Sequence, residues 1–162
     1  MTDIKGFAHV YGDSVNTDVI IAGKYTKTLN MQDLVDHCME DLDPRFKNTV
    51  QKGDVVVGGF NFGCGSSREQ APLALKYSGV SAILARSFAR VFFRNAINVG
   101  IPAVICDTSS IQKGDTVEVD LSEGVVMVNG ARKIPCHKLP DIMQTILSSG
   151  GLAAYLREHG DF

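Results

Sequence analysis

Three stretches of this chain carry apolar residues almost without interruption: VVVGGF at Val55–Phe60, VSAILAR at Val80–Arg86 and IPAVIC at Ile101–Cys106. Unbroken apolar runs of this length predict strands buried on both faces, as in a parallel sheet. Between them lie two segments with helical spacing. The first is predicted from about Ser67 to Ser78; the second, SFARVFFRNAINVG, closes on Gly100, a residue suited to a left-handed C-cap. The centre of the chain therefore reads as a parallel βαβαβ unit.

The flanks have a different pattern. KGFAHVYG at Lys5–Gly12 reads as a strand ending in a turn, and QKGD at Gln51–Asp54 as a turn. MQDLVDHCMEDL places Met31, Leu34, Val35, Cys38, Met39 and Leu42 on one helical face, with Asn30 as its N-cap. Beyond Cys106, DTVEVDL, VVMV and RKIP read as short strands, and Asn129-Gly130 is a type I′ hairpin signal between the last two. LPDIMQTILSSGG and LAAYLREHG read as two closing helices. The expected fold class is α/β, with that parallel centre and an added β-hairpin region. Neither a repeat nor a low-complexity linker divides the chain, so residues 1–162 are expected to form one domain.

Composition narrows the function classes. The chain has 162 residues, 44% hydrophobic and 21% charged, as in globular proteins. Its net charge is −2 and no basic block occurs, which argues against a nucleic-acid partner. No apolar run reaches the roughly 18 residues of a membrane helix. The N-terminus lacks the layout of a secretory signal, so a cytoplasmic protein is expected. Cys38, Cys64, Cys106 and Cys136 are scattered without a C-x-x-C pair, a spacing that fits neither a zinc site nor an iron–sulfur run. No metal ligand is assigned in this chain.

The chemistry concentrates in GFNFGCGSSREQAP, Gly59–Pro72, where a strand hands over to a helix. Ligands in parallel sheets bind beyond such strand ends. Gly63 and Gly65 allow close backbone approach, unpaired first-turn amides attract an anion, and Arg68 offers a fork that matches a carboxylate. Ser66-x-x-Glu69 is also a capping box, which opens many helices without any function. The string is not a dinucleotide fingerprint, a P-loop or a hydrolase elbow. A serine beside free amides and an arginine is suited to act as a general base toward a carbon acid.

The segment from Gly58 to Pro102, with its N-F-G-x-G-S-S-R-E and S-F-A-R-x-F-x-R-N strings, resembles the small subunits of the isopropylmalate dehydratase family, homologous to the swivelling domain of aconitase. GDSVNTDVIIAGKY (Gly12–Tyr25) and the terminal GGLAAYLREHGD extend the likeness over nearly the whole chain. The resemblance implies a swivelling β/β/α domain. It also implies a subunit of a hydro-lyase that isomerises 2- and 3-isopropylmalate by dehydration and rehydration in leucine biosynthesis. The same chemistry on homoaconitate, a citrate-like acid or 2,3-dimethylmalate is the alternative, as is a non-catalytic carboxylate-binding module. A [4Fe–4S] cluster would be held by a separate large subunit, the expected partner.

By motif, the resemblance makes Ser66 the catalytic base, Ser67 and Arg68 substrate-carboxylate contacts, and Asp18 a residue lining the same site. The loop Tyr25-Thr26-Lys27-Thr28 would touch the substrate's far carbon, where Lys27 suits an extra carboxylate better than an isopropyl group. Arg86, Arg90 and Arg94 are assigned to packing, ion pairs or subunit contact. His9, His37, His137 and His159 receive no role.

Overall fold

The computed structural model describes residues 4–28 and 30–160; Asp161, which ends the terminal motif, lies outside them. Seven strands form one sheet in the order β4-β3-β2-β1-β5-β6-β7. The strands are β1 (Ile4–Val10), β2 (Val55–Val57), β3 (Ala82–Ala85), β4 (Ala103–Ile105), β5 (Thr116–Asp120), β6 (Val125–Val128) and β7 (Arg132–Pro135). β1 to β4 pair in parallel, with Ala8 opposite Val55, Val55 opposite Ala82 and Ile83 opposite Ala103. β5 adds to β1 antiparallel, and β6 and β7 continue as an antiparallel meander.

Each step from β1 to β4 moves in one direction along the sheet. Right-handed crossovers then place the connecting helices on a single face. These are α1 (Thr17–Ile20), α2 (Met31–His37), α3 (Phe46–Thr49), α4 (Gln70–Tyr77) and α5 (Arg90–Val99), with α6 (Asp141–Ser148) and α7 (Leu152–His159) added after the meander. α2 packs on α4, α4 on α5, and α5 on both α6 and α7. Among the described residues no helix is long and apolar enough to cross a membrane.

The other face of the parallel strands is covered by the sheet itself. It curls until its ends meet, where Cys106 after β4 bridges Cys136 after β7 and His137 N–H donates to Ile105 O at 2.9 Å. Val55, Val56, Ile83, Leu84 and Ala103 are consequently all fully buried. The expected α/β class with a parallel centre and a hairpin region is what forms. Asn129 (φ 55°) and Gly130 (φ 67°) make the predicted turn between β6 and β7, and Gly100 (φ 93°) caps α5.

Three helix boundaries differ from the reading of the sequence. α5 starts at Arg90 rather than Ser87, because Phe88 pairs in bridge fashion with Phe62 and Ala89 N–H donates to Phe62 O at 2.9 Å. Apolar spacing runs to Leu42, but α2 stops at His37: Cys38 turns extended, and Met39 adopts φ 62° while its amide donates to Ile20 O at 2.8 Å. That tertiary bond takes the chain off the helix axis and leaves Leu42 exposed. The third difference is in the candidate site.

Candidate active site

Two motifs far apart in sequence meet because they follow adjacent parallel strands. The segment after β1 and the loop after β2 are stitched together by Gly59 N–H to Gly12 O (3.0 Å), Ser14 N–H to Phe60 O (2.8 Å), Gly63 N–H to Val15 O (2.8 Å) and Thr17 N–H to Cys64 O (2.9 Å). On its other side the loop is held by the segment after β3, through Phe62 N–H to Ser87 O and Ala89 N–H to Phe62 O. The loop is thus a connection built into the carboxyl ends of three strands.

Gly63 (φ 83°) and Gly65 (φ 94°) adopt the left-handed conformation. Their close neighbours, however, are protein atoms. A Cβ on Gly63 would collide with the Phe92 ring, and one on Gly65 with the Asn16 side chain. These glycines let the loop pack against α5 and the segment after β1.

The helix after the loop begins later than predicted. α4 starts at Gln70 with Glu69 as its N-cap, in helical conformation and without a side-chain cap bond. The capping box therefore does not form. Ser66 is instead pinned through its carbonyl, which accepts from the buried Thr17 hydroxyl at 2.8 Å. Among the described residues, the Ser66 and Ser67 hydroxyls and the amides of residues 67–70 have no partner within the chain. Both serines are exposed. An uncapped helix start next to two unbonded hydroxyls stabilises an anion there.

Asp18 and Arg68 form an ion pair between Oδ1 and Nη1. The helix-cap role in this segment is played by Asn16, whose Oδ1 accepts from Asp18 N–H at 2.8 Å. That leaves the Asp18 carboxylate free to face Arg68. Arg68 Nη1 also approaches Ile21 O at 3.4 Å. Arginine carries five N–H donors, and among the described residues only Nη1 is engaged, so Nε and Nη2 remain to grip a carboxylate.

A cavity of about 170 Å³ opens at this point, lined by Thr17, Gly63, Gly65, Ser66, Ser67, Arg68 and the start of α5 from Ala89 to Phe92. The structure therefore brings Ser66, Ser67 and Arg68 together, with Asp18 reaching them through Arg68. Lys27 does not line the cavity. It is exposed, on a turn whose neighbour Thr26 is tethered by Gln70 Nε2 to its carbonyl at 3.1 Å. Arg90, assigned to packing, ion pairs or subunit contact from the sequence, also lines the cavity, because α5 begins one strand over from the loop. Arg86 does pack: its guanidinium lies 4.4 Å above the Phe60 ring and 3.8 Å from Asp107. Thr17 went unnoticed in the sequence; its place beside Asp18 in the N-terminal motif was the available signal.

Among the described residues no three His, Cys, Asp or Glu side chains gather as a metal-ligand set. Cys38, Cys106 and Cys136 lie away from the cavity, and the loop's Cys64 pairs in bridge fashion with Asn16. Among the described residues, these side chains do not form a ligand set for an iron–sulfur cluster.

A curled sheet whose parallel strand ends carry a serine–arginine loop defines a class, and comparison with known proteins agrees with it. Residues 13–107 match the aconitase C-terminal domain. A 3-isopropylmalate dehydratase small subunit of Archaeoglobus fulgidus is 52% identical, covering 96% of both chains. A methanogen homoaconitase small subunit of Methanocaldococcus jannaschii is 49% identical, covering 96% of this chain and 92% of that one. A crystal structure described as 3-isopropylmalate dehydratase from the same organism superposes with a TM-score of 0.94 at 47% identity, over 98% of this chain and 96% of that one. This chain belongs to the isopropylmalate dehydratase/homoaconitase small-subunit family and has the aconitase swivel-domain fold.

Proposed function

We propose that the chain is the small subunit of a [4Fe–4S]-dependent hydro-lyase that interconverts 2- and 3-isopropylmalate by dehydration and rehydration, in leucine biosynthesis. The names of its relatives support the reaction class, the pathway and a large-subunit partner. The observation that carries the reading is the pair of unbonded serine hydroxyls at a cavity mouth beside Arg68.

In this reading a [4Fe–4S] cluster would be held by the large subunit and would supply the Lewis acid of the reaction. The work of this chain is the other half of the elimination. Arg68 grips a substrate carboxylate through Nε and Nη2 while Asp18 holds Nη1 and fixes the fork, and the Ser67 hydroxyl adds a hydrogen bond. Ser66, as alkoxide, takes the proton from the carbon next to the carbinol carbon. The free amides of residues 67–70 and the Arg68 charge stabilise that alkoxide. In the rehydration half Ser66 returns the proton to the neighbouring carbon.

The test is reconstitution with the cognate large subunit. Ser66→Ala is expected to lower kcat by about 10²–10⁴, the usual contribution of a positioned base, with KM little changed. Turnover within a few-fold of the unaltered chain refutes the assignment. A second substrate is supported by the homoaconitase relative; Lys27, outside the cavity of this chain, is its proposed selector. Lys27→Ala separates the two: it is expected to harm a tricarboxylate far more than isopropylmalate, and equal effects remove Lys27 as selector.

A further inference from the structure

The seam where the sheet closes on itself holds two cysteines face to face. Cys106 and Cys136 are antiparallel bridge partners. Their own amides point elsewhere, Cys106 N–H to Ala85 O at 3.1 Å and Cys136 N–H to Gly124 O at 2.9 Å. The bond that joins the two strands comes from the next residue, His137 N–H to Ile105 O at 2.9 Å. The cysteines thus occupy the non-hydrogen-bonded position of an antiparallel pair, where facing Cα atoms lie about 4.5 Å apart and side chains share one face. Disulfides span Cα separations of about 4.4–6.8 Å. The spacing characteristic of such a pair falls within the range a disulfide spans.

Both thiols are free, Cys106 buried and Cys136 half-buried. A cavity of about 440 Å³, lined also by Phe60, Arg86, Asp107 and His137, opens onto them. The other two cysteines have different neighbours: Cys38 lies beside Ser78, and Cys64 beside Asn16 on the catalytic loop.

We propose that Cys106 and Cys136 form a dithiol modification site, which a low-molecular-weight disulfide closes into a reversible intramolecular disulfide across the seam. The half-buried Cys136 reacts first. It loses its proton to solvent and its sulfur attacks one sulfur of the small disulfide, breaking that S–S bond and releasing one half as a thiol. Cys106, deprotonated in turn, attacks the Cys136 sulfur of the mixed disulfide and releases the second half. Two electrons pass to the oxidant, and one disulfide is exchanged for another.

Burial pushes the Cys106 thiol up to about 12, with Cys136 and Asp107 adding to it. Burial, then Asp120, raises Cys136 as well. Arg86 and His137 are the cationic or titratable groups that also face this cavity. Thiolate is the attacking species, so closure speeds up as pH rises. The cross-link would fasten the free end of the meander to β4. Thr108, two residues beyond Cys106, holds Gly58 O at 2.7 Å, so the staple borders the base of the catalytic loop.

Oxidised glutathione added to the native chain at alkaline pH tests this. Alkylation is expected to show loss of two of the four thiols. The intact mass should fall by two hydrogens, with no dimer, and a non-reducing peptide map should join Cys106 to Cys136. Dithiothreitol should restore all four thiols, and the oxidised form should unfold at higher urea. Cys136→Ser is expected to abolish the loss, while Cys64→Ser leaves it intact. The proposal is overturned by four thiols that persist, by a glutathione adduct that never resolves, or by a map joining any other pair. None of these readouts depends on the large subunit or on turnover, so the hydro-lyase reading stands or falls separately.

Discussion

The two halves of the sheet solve burial in opposite ways. β2 and β3 bury every residue, whereas β5 alternates, with Val117 and Val119 inside and Glu118 and Asp120 in solvent. A strand between two β-neighbours still has two faces to cover. In the parallel half the helices cover one and the curled antiparallel half covers the other. The antiparallel half needs only one cover and leaves its second face wet. Function follows the division. The candidate site lies at the carboxyl ends of the doubly buried strands, where their backbone runs out into a loop with unpaired amides. The meander encloses the core and closes the seam.

The sharpest way to break this comparison is to truncate equivalent positions in the two halves. Leu84→Ala in β3 empties a fully buried site and is expected to cost about 2–5 kcal/mol in denaturant unfolding. Glu118→Ala on the wet face of β5 removes a pair with Lys5 at 3.2 Å whose side chains are 49% and 65% exposed. It is expected to stay within about 0.5 kcal/mol. Similar losses at both positions would erase the distinction.

Alkaline pH should act on the covered half next. Burial raises Cys38, which follows α2, from an ordinary 9.0 to about 12. The unfolded chain therefore gives up this proton first, and stability falls as pH rises from about 9 toward 12. The loss is about 2 kcal/mol by about pH 10.5. Cys38→Ala is expected to lower the baseline while flattening this slope in thermal melts taken across that range. An unchanged slope would place the titration elsewhere.

A smaller effect belongs to the meander's register. Asn129 holds φ 55° and accepts from Thr116 N–H at 2.9 Å. Asn129→Ala is expected to cost about 1–2 kcal/mol from the left-handed strain, and Asn129→Gly less, since glycine accepts that conformation. Equal costs would assign the turn's contribution to the side-chain bonds alone.

Much of the fold was legible because it rests on local rules. Continuous apolar runs marked β2 to β4, Asn129-Gly130 marked the hairpin, and Gly100 marked the end of α5. The misses share one cause, a long-range bond that overrode a local preference. Met39 N–H leaves helical geometry for Ile20 O, and Ser66 O is taken by Thr17 before α4 can begin. In the site, Ser66, Ser67 and Arg68 could be named from one contiguous string. That Arg90 lines the same cavity depends on which strands are neighbours, and no spacing in the chain encodes that directly.

By itself, the amino-acid order determined which segments are doubly buried, where the turns fall, and which loop carries hydroxyls, amides and a guanidinium side by side. Those are properties of residues close in sequence, governed by periodicity and by the conformational reach of single residues. Only the tertiary structure decided that Asp18 meets Arg68 and that the sheet curls until Cys106 faces Cys136. Such pairs lie far apart along the chain, and their proximity follows from strand order and register.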